Sequence, residues 1–342
     1  MSSKYLRRAL QLVFVSLGAF IFISLVKKIG WQDILNNLLR LNWWFLPVFV
    51  LSFTWYWLYT KGWEQLLKPF SGTLSTFALF RAKVAGESIN SLNPVNFMVG
   101  DPFRVYLLKR NFPVKEGAAS VIVDRTIHSM SILFVILIGI AVGFPVLDFL
   151  PHNIQRGVPV FIIAMTILLA LVLIFLRRGL FVLPFKLMLK LNIKIEFAHK
   201  TLLHMEELDE KIKSFYNINK GGFFIALIYH FVGRFLGIFE IFIFGHAITA
   251  EFTLRMAILL GALGPIVNAC FAFLPGALGA MEGAYGGLLY ILGLDPAVGV
   301  AIQIGRRIRA AFWTLVGIIF IKMHRHAVKV LNHSCAEVKS ER

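Results

Sequence analysis

A proline, an acid seven residues further on and an arginine twenty-four beyond that occur twice in this 342-residue chain, as Pro94, Asp101, Arg125 and as Pro275, Glu282, Arg306. One shift of 181 residues carries all three positions of the first set onto the second. Both sets sit in strongly apolar sequence, where a charge is costly unless it is paired. The pattern restricts the fold to an internal repeat with a charged site in each copy, and it points to a membrane protein.

Composition bears this out. Apolar residues make up 58% of the chain, charged residues only 15%, and mean hydropathy is +0.75. A soluble core has no use for that much hydrocarbon. A spanning helix needs about 20 mostly apolar residues. Six such runs can be read, at 9–26, 43–60, 117–143, 157–176, 221–246 and 296–321. The first follows Lys4, Arg7 and Arg8 without a small-residue cleavage site, and reads as a retained span. A net charge of +17 would suit nucleic acid. No interleaved basic–aromatic module is present, however, so no nucleic-acid partner is expected. Basic residues gather in cytoplasmic loops of membrane proteins and favour anionic lipid headgroups there. Two cysteines give no disulfide framework, and Cys270, in an apolar segment, is expected in the core.

Two apolar regions do not read as simple spans. Residues 77–109 are broken at Asn93-Pro94 and carry Arg81, Lys83, Glu87, Asp101 and Arg104; residues 254–294 are broken at Pro275-Gly276 and carry Glu282. Each half is too short or too charged to cross alone. Proline also frees a carbonyl, which membranes tolerate only where protein or a wet cavity surrounds it. Each region is therefore expected to be a re-entrant helical hairpin. Between the first two spans, Trp31, Ile34, Leu35, Leu38 and Leu39 recur at helical spacing ahead of Arg40, the pattern of a short helix in the interface.

Orientation follows from the loops. Residues 177–220 hold nine Lys/Arg and belong in the cytoplasm, with an amphipathic helix at 200–215. Residues 144–156 hold only Arg156 and belong outside. The expected fold is an all-α polytopic membrane protein, a single transmembrane domain over 1–342. It has six full spans, two re-entrant hairpins and both termini cytoplasmic. The first repeat unit is 43–143 and the second 221–324, and the loop charges give them opposite topology. Inverted repeats with broken helices are a transporter signature.

The charges fall into two clusters, Asp101, Arg104 and Arg125, and Glu282, Arg306, Arg307 and Arg309, with Glu87, Arg234 and Glu240 as candidates to join them. Asp101–Arg125 and Glu282–Arg306 are candidate ion pairs pinning each hairpin to the following span. The remaining arginines have no acid close in sequence. A planar guanidinium suits phosphate, and the half-helix N-termini after the breaks add partial positive charge. Arg104, Arg125, Arg306, Arg307 and Arg309 are therefore candidate lipid-headgroup ligands. Glu87, Asp101, Glu240 and Glu282 would pair them or bind a cationic group. Asn93, Pro94, Pro275, Gly276 and Gly279 mark the hairpin breaks, and Asn90, Asn93, Asn96 and Asn268 are suited to satisfying freed backbone groups, or else to contacting a ligand. His128, His230 and His246 lack metal-ligand spacing and read as packing residues. No metal, other cofactor or catalytic residue is expected.

Asn93-Pro94, Gly100-Asp101-x-x-Arg104 and Val123-Asp124-Arg125 together resemble the first motif region of the lysylphosphatidylglycerol synthase transmembrane-region family, the flippase-like integral membrane proteins. Leu274-Pro275-Gly276-Ala277-Leu278-Gly279-Ala280-Met281-Glu282, with Arg306 in the next span, is similar to its second. The resemblance covers residues 5–325. The first break reads Asn93-Pro94-Val95-Asn96, where family members often have more glycine. The resemblance implies a lipid translocase fold with two re-entrant hairpins. The best-known members add a soluble aminoacyltransferase domain and move aminoacylated phosphatidylglycerol between leaflets. No such domain is seen here, so lipid synthesis is not expected. Stand-alone relatives occur beside genes for polyprenyl-linked sugars or other envelope lipids, so the resemblance leaves the cargo open.

The leading expectation is a flippase-like transporter rather than an enzyme, moving an anionic or aminoacylated phospholipid, or a polyprenyl-phosphate-type lipid, across a prokaryotic cytoplasmic membrane. The alternatives are an integral membrane enzyme acting on lipid headgroups and a proton-coupled small-ion carrier using Glu87, Asp101 or Glu282. Homo-oligomerisation is left open.

Overall fold

The computed structural model describes residues 3–70, 72–92, 99–143 and 219–340, with isolated positions between 157 and 210. Every regular element among the described residues is helical. In chain order the α-helices are α1 (Ser3–Ile29), α2 (Trp31–Arg40), α3 (Phe45–Leu67), α4 (Thr76–Leu92), α5 (Gly100–Leu108), α6 (Val114–Gly143), α7 (Lys220–Ile248), α8 (Leu254–Cys270), α9 (Ala280–Ile291) and α10 (Pro296–Ser340), with short 3-10 turns at Asn42–Trp44 and Pro275–Ala277. The expected span 157–176, the amphipathic helix at 200–215, and Asn93, Pro94 and Asn96 at the first break lie outside the described residues.

Among the described residues, two helices are long and apolar enough to cross a membrane on their own, Val114–Gly143 and Lys220–Ile248. The bent pair Val13–Ile29 and Trp31–Arg40 qualifies together. The expected spans 43–60 and 296–321 are helical within α3 and α10 but fall outside that set. The first is rich in Trp and Tyr and the second carries Arg306, Arg307 and Arg309. The arms of the broken regions are short. At about 1.5 Å per residue, the 17-residue α4 and α8 reach roughly 26 Å and the 12-residue α9 roughly 18 Å. A hydrocarbon core is about 30 Å thick.

α1 and α2 meet at 90°. Gly30 makes the corner with φ 106° and ψ 120°, a region that residues with a Cβ avoid. An added Cβ would also stand 3.0 Å from Asp33 Oδ2. Gly30→Ala should therefore cost about 1–3 kcal/mol, read as an earlier thermal transition of the detergent-solubilised protein. The apolar stripe foreseen on 31–39 is split in α2: Ile34 is buried, while Trp31 and Leu39 are exposed.

Helices pair in an exchanged pattern. α3 packs antiparallel on α7, with Phe45 against Phe244 at 5.2 Å between ring centres and Tyr59 stacked on His230 at 4.7 Å. α4 packs antiparallel on α10, where Ser88 Oγ donates to the Trp313 carbonyl at 3.3 Å and Phe80 meets Phe320. α8 packs antiparallel on α6, where Gly139 faces Ala262 and Gly143 faces Leu259. The helix that ends one half thus grips the broken region of the other.

Among the described residues two large apolar cores result, beside two small clusters. One gathers Trp63, Leu66, Leu108, Ile127, Phe223 and Ala226; the other gathers Val48, Val135, Phe244, Leu260, Tyr285 and Ile302. α3, α6 and α7 each contribute one end to each core, so their middles run between the two. Cys270, expected in the core, is exposed at the end of α8, where the helix stops before the break.

Candidate functional site: a charged cavity between the two cores

A cavity of about 450 Å³ occupies the space between the cores. Its walls come from α3, α4, α6, α7, α8, α9 and α10. Six cations line it, Lys83, Arg125, Arg234, Arg306, Arg307 and Arg309, against three carboxylates, Glu87, Asp124 and Glu240. The volume is within the range of small-molecule sites.

On one side Asp124 is the hub. Lys83 Nζ donates to Asp124 Oδ1 and Oδ2 at 2.9 and 3.0 Å and to the Tyr59 carbonyl at 2.9 Å. Arg104 Nη2 donates to Asp124 Oδ2 at 2.7 Å, and its guanidinium lies 4.0 Å over the Trp63 ring. Both cations are enclosed, Arg104 completely. Arg125 forks onto Asp101, from Nε to Oδ2 at 2.9 Å and from Nη2 to Oδ1 at 2.7 Å, and reaches Glu87 at 3.0 Å. The expected Asp101–Arg125 pair is therefore present, tying α5 to α6. Asn90 Oδ1 accepts from the Gly100 N–H at 2.8 Å, so an asparagine does satisfy a backbone donor at the start of α5.

On the other side the pairing differs from the expected Glu282–Arg306. Glu282 receives Arg307 through Nε and Nη2, while Arg306 turns to Glu240, Tyr285 and Gln303. Successive residues on a helix point about 100° apart, so the one-residue difference selects another face. Relative to α5 and α9, α6 and α10 are offset by one more residue: α6 starts at Val114 and α10 at Pro296, a shift of 182 rather than 181. With that shift Arg125 matches Arg307, and both arginines clasp the acid of their short helix. Arg309 donates to Glu240 at 2.8 and 3.2 Å and lies over Trp55.

Backbone groups at the second break are also accounted for. Gly276 has φ 59° and Gly279 φ 79°. Arg307 Nη2 donates to the Gly276 carbonyl at 3.1 Å, and Glu282 Oε2 accepts from the Gly279 N–H at 2.8 Å. One ion pair thus caps α9 and holds a freed carbonyl.

Of the five arginines foreseen as headgroup ligands, Arg125, Arg306, Arg307 and Arg309 line the cavity, each already holding an acid. Arg104 does not reach it; it faces Asp124 and Trp63. The arginine surplus read from sequence shrinks accordingly, because Arg104, Arg307 and Arg309 find acids from distant segments. Glu87 and Glu240 are on the cavity wall, while Asp101 and Glu282 stand behind it as partners. Gly276 lines the cavity.

Sequence reasoning passed over Asp124, His128, His230 and Tyr285 as site residues. Asp124 was visible beside Arg125, and an acid in an apolar run was the available signal. The histidines were read as packing residues, yet both line the cavity, and His230 bonds Asp124 at 3.0 Å.

An all-helical, multi-pass membrane protein with a charge-lined cavity between two packed halves is the class that fold and site define. The chain belongs to the family described as lysylphosphatidylglycerol synthase TM region, whose model matches residues 8–317. That membership links the protein to lipid handling in a membrane. Neither a curated protein nor a solved structure matches the chain.

Proposed function

We propose that the protein is a flippase-like lipid transporter, not an enzyme, carrying an anionic or aminoacylated phospholipid, or a polyprenyl-phosphate-type lipid, between leaflets of a prokaryotic cytoplasmic membrane. The observation that carries this reading is the cavity wall of partly open arginines in a family tied to lipid handling. The side chains of Arg125, Arg306 and Arg307 remain 29%, 24% and 32% exposed despite their acids. Their bonds among the described residues use only some of the five guanidinium donors. The rest can hold a phosphate. Glu87 and Glu240 would meet the amine of an aminoacylated headgroup.

In this reading 43–143 and 221–324 are repeat units of opposite topology, their hairpins entering from opposite faces, with six spans in all. The antiparallel pairing of α3 with α7 and the exchange of partners between the halves support it. Both termini and the basic segment 177–220 face the cytoplasm, where its cations meet anionic headgroups. Association of several copies is compatible with this arrangement.

A headgroup-protection assay in liposomes tests the site. Losing one charge-assisted contact of about 1.5–3 kcal/mol should slow labelled-lipid exchange roughly ten- to a hundredfold in Arg125→Ala and in Arg306→Ala. Wild-type exchange in both variants would remove the assignment.

A further inference from the structure

Four polar side chains form a continuous path along the cavity wall into the buried charges. Arg234 Nη2 bonds His128 Nε2, His128 Nδ1 lies 3.2 Å from His230 Nδ1, and His230 Nε2 lies 3.0 Å from Asp124 Oδ1. A guanidinium only donates, so His128 Nε2 is an acceptor. A neutral imidazole has one N–H, which places the proton of His128 on Nδ1, donating to His230 Nδ1. His230 then carries its proton on Nε2 and donates to Asp124. With Arg234 charged and Asp124 ionised, these contacts admit one proton arrangement, with both rings neutral. A further proton on either ring would set two donors face to face.

Arg234 differs from the other arginines of the cavity. Arg125, Arg306, Arg307 and Arg309 each hold a carboxylate. Among the described residues Arg234 holds none, and its buried Nε meets no acceptor. Its partner is an uncharged ring, the weaker competitor when an anion enters.

We propose that the His128–His230 pair is a proton-binding site coupled to occupancy of the cavity by an anionic headgroup. The anion draws Arg234 off His128. The Nε2 lone pair, now without a donor, takes one proton that the buffer acid releases and cavity water relays. The resulting imidazolium faces the same anion, so Arg234 and one proton both meet the incoming charge. One N–H bond is made as the acid's bond to that proton breaks, leaving its conjugate base in bulk solution, and departure of the anion reverses each step. The charged and titratable groups around the pair come from every packed element. Tyr59 on α3 stacks on His230, Lys83 and Glu87 come from α4, and Arg104 on α5 bonds Asp124. Asp124 and Arg125 come from α6, Arg234 from α7 and Arg309 from α10, while α8 brings only the uncharged Asn268. Lys83 and Arg104 fix Asp124 as the carboxylate end, so the ring pair is the element free to change its proton count.

The proposal rests on the anionic-headgroup reading above, and the experiment separates the two. Glycerophosphoglycerol, the deacylated form of phosphatidylglycerol, is a phosphodiester that does not titrate near neutral pH. It is titrated calorimetrically into the full-length protein in detergent, in two buffers of different ionisation heat. Wild type should take up about one proton per bound ligand, the proton accepted at His128 Nε2 once Arg234 leaves it for the anion. His128→Gln, whose amide oxygen can accept from Arg234, should bind with uptake near zero. Binding to wild type without proton uptake, or unchanged uptake in His128→Gln, overturns the proposal alone. Absence of binding overturns the headgroup reading and this one with it. In the ligand-free protein, ¹⁵N-histidine spectra should show Nδ1–H on His128 and Nε2–H on His230; the opposite tautomers or an imidazolium would overturn it independently.

Discussion

Asp124→Asn should cost the folded protein about 3–5 kcal/mol, the loss expected when one partner of a buried ion pair is removed. The reason is local. Asp124 accepts from Lys83, Arg104 and His230, and neither cation can turn to solvent, being 3% and 0% exposed. Thermal unfolding followed by size-exclusion chromatography measures the loss in detergent. The half-buried pair Lys61–Glu64, 34% and 27% open, is the contrast. Glu64→Gln should shift stability by less than about 1 kcal/mol. If Asp124→Asn is too unstable to purify, Lys83→Met added to it should restore part of the yield, because it removes one uncompensated charge. An Asp124→Asn protein that melts with wild type would contradict this account of the cluster.

Gly299→Ala should have the second large effect. A Cβ at Gly299 would stand 2.5 Å from the carbonyl of Tyr285 on α9, and that backbone cannot swing aside as a side chain can. α9 and α10 would have to part, carrying the Tyr285 hydroxyl away from Arg306, which donates to it at 2.6 Å. Overpacking of this kind costs about 1–3 kcal/mol, and the cavity wall moves with it. Gly287 lies on the same short helix with open space where its Cβ would go. Gly287→Ala should be neutral or gain a few tenths of a kcal/mol from helix propensity, roughly. Equal melting of the two variants would show that the α9–α10 crossing is not tight.

How far the sequence could be read depended on whether a feature was local. The break at Pro275-Gly276, the short helix after it and the helix at 31–40 are written in neighbouring residues, and each appears where it was expected. So does the Asp101–Arg125 pair, because α5 and α6 are joined by a short turn. The partner of Glu282 was misassigned because matching by a fixed shift ignores a one-residue change between α9 and α10, and a helix face is sensitive to that change. Arg104 meets Asp101, three residues away, at 3.4 Å, but its closer acid, Asp124, and that of Arg309, Glu240, lie 20 and 69 residues away and are invisible without the packing. The histidines read as packing residues for another reason. Their role comes from meeting each other across α6 and α7, 102 residues apart, and no spacing encodes that.

The position of Asp124 in the chain also bears on synthesis. Lys83 leaves the ribosome 41 residues before it and Arg104 20 residues before it. On insertion scales a cation at mid-membrane costs about 2.5–3.5 kcal/mol, so under the proposed hairpin topology α4 and α5 are poor substrates for the translocon alone. They become acceptable once α6 delivers the shared acid, and the three should enter the bilayer as one unit. In the second half the order is reversed. Glu240 emerges first, 66 residues ahead of Arg306, so there an acid waits for its bases.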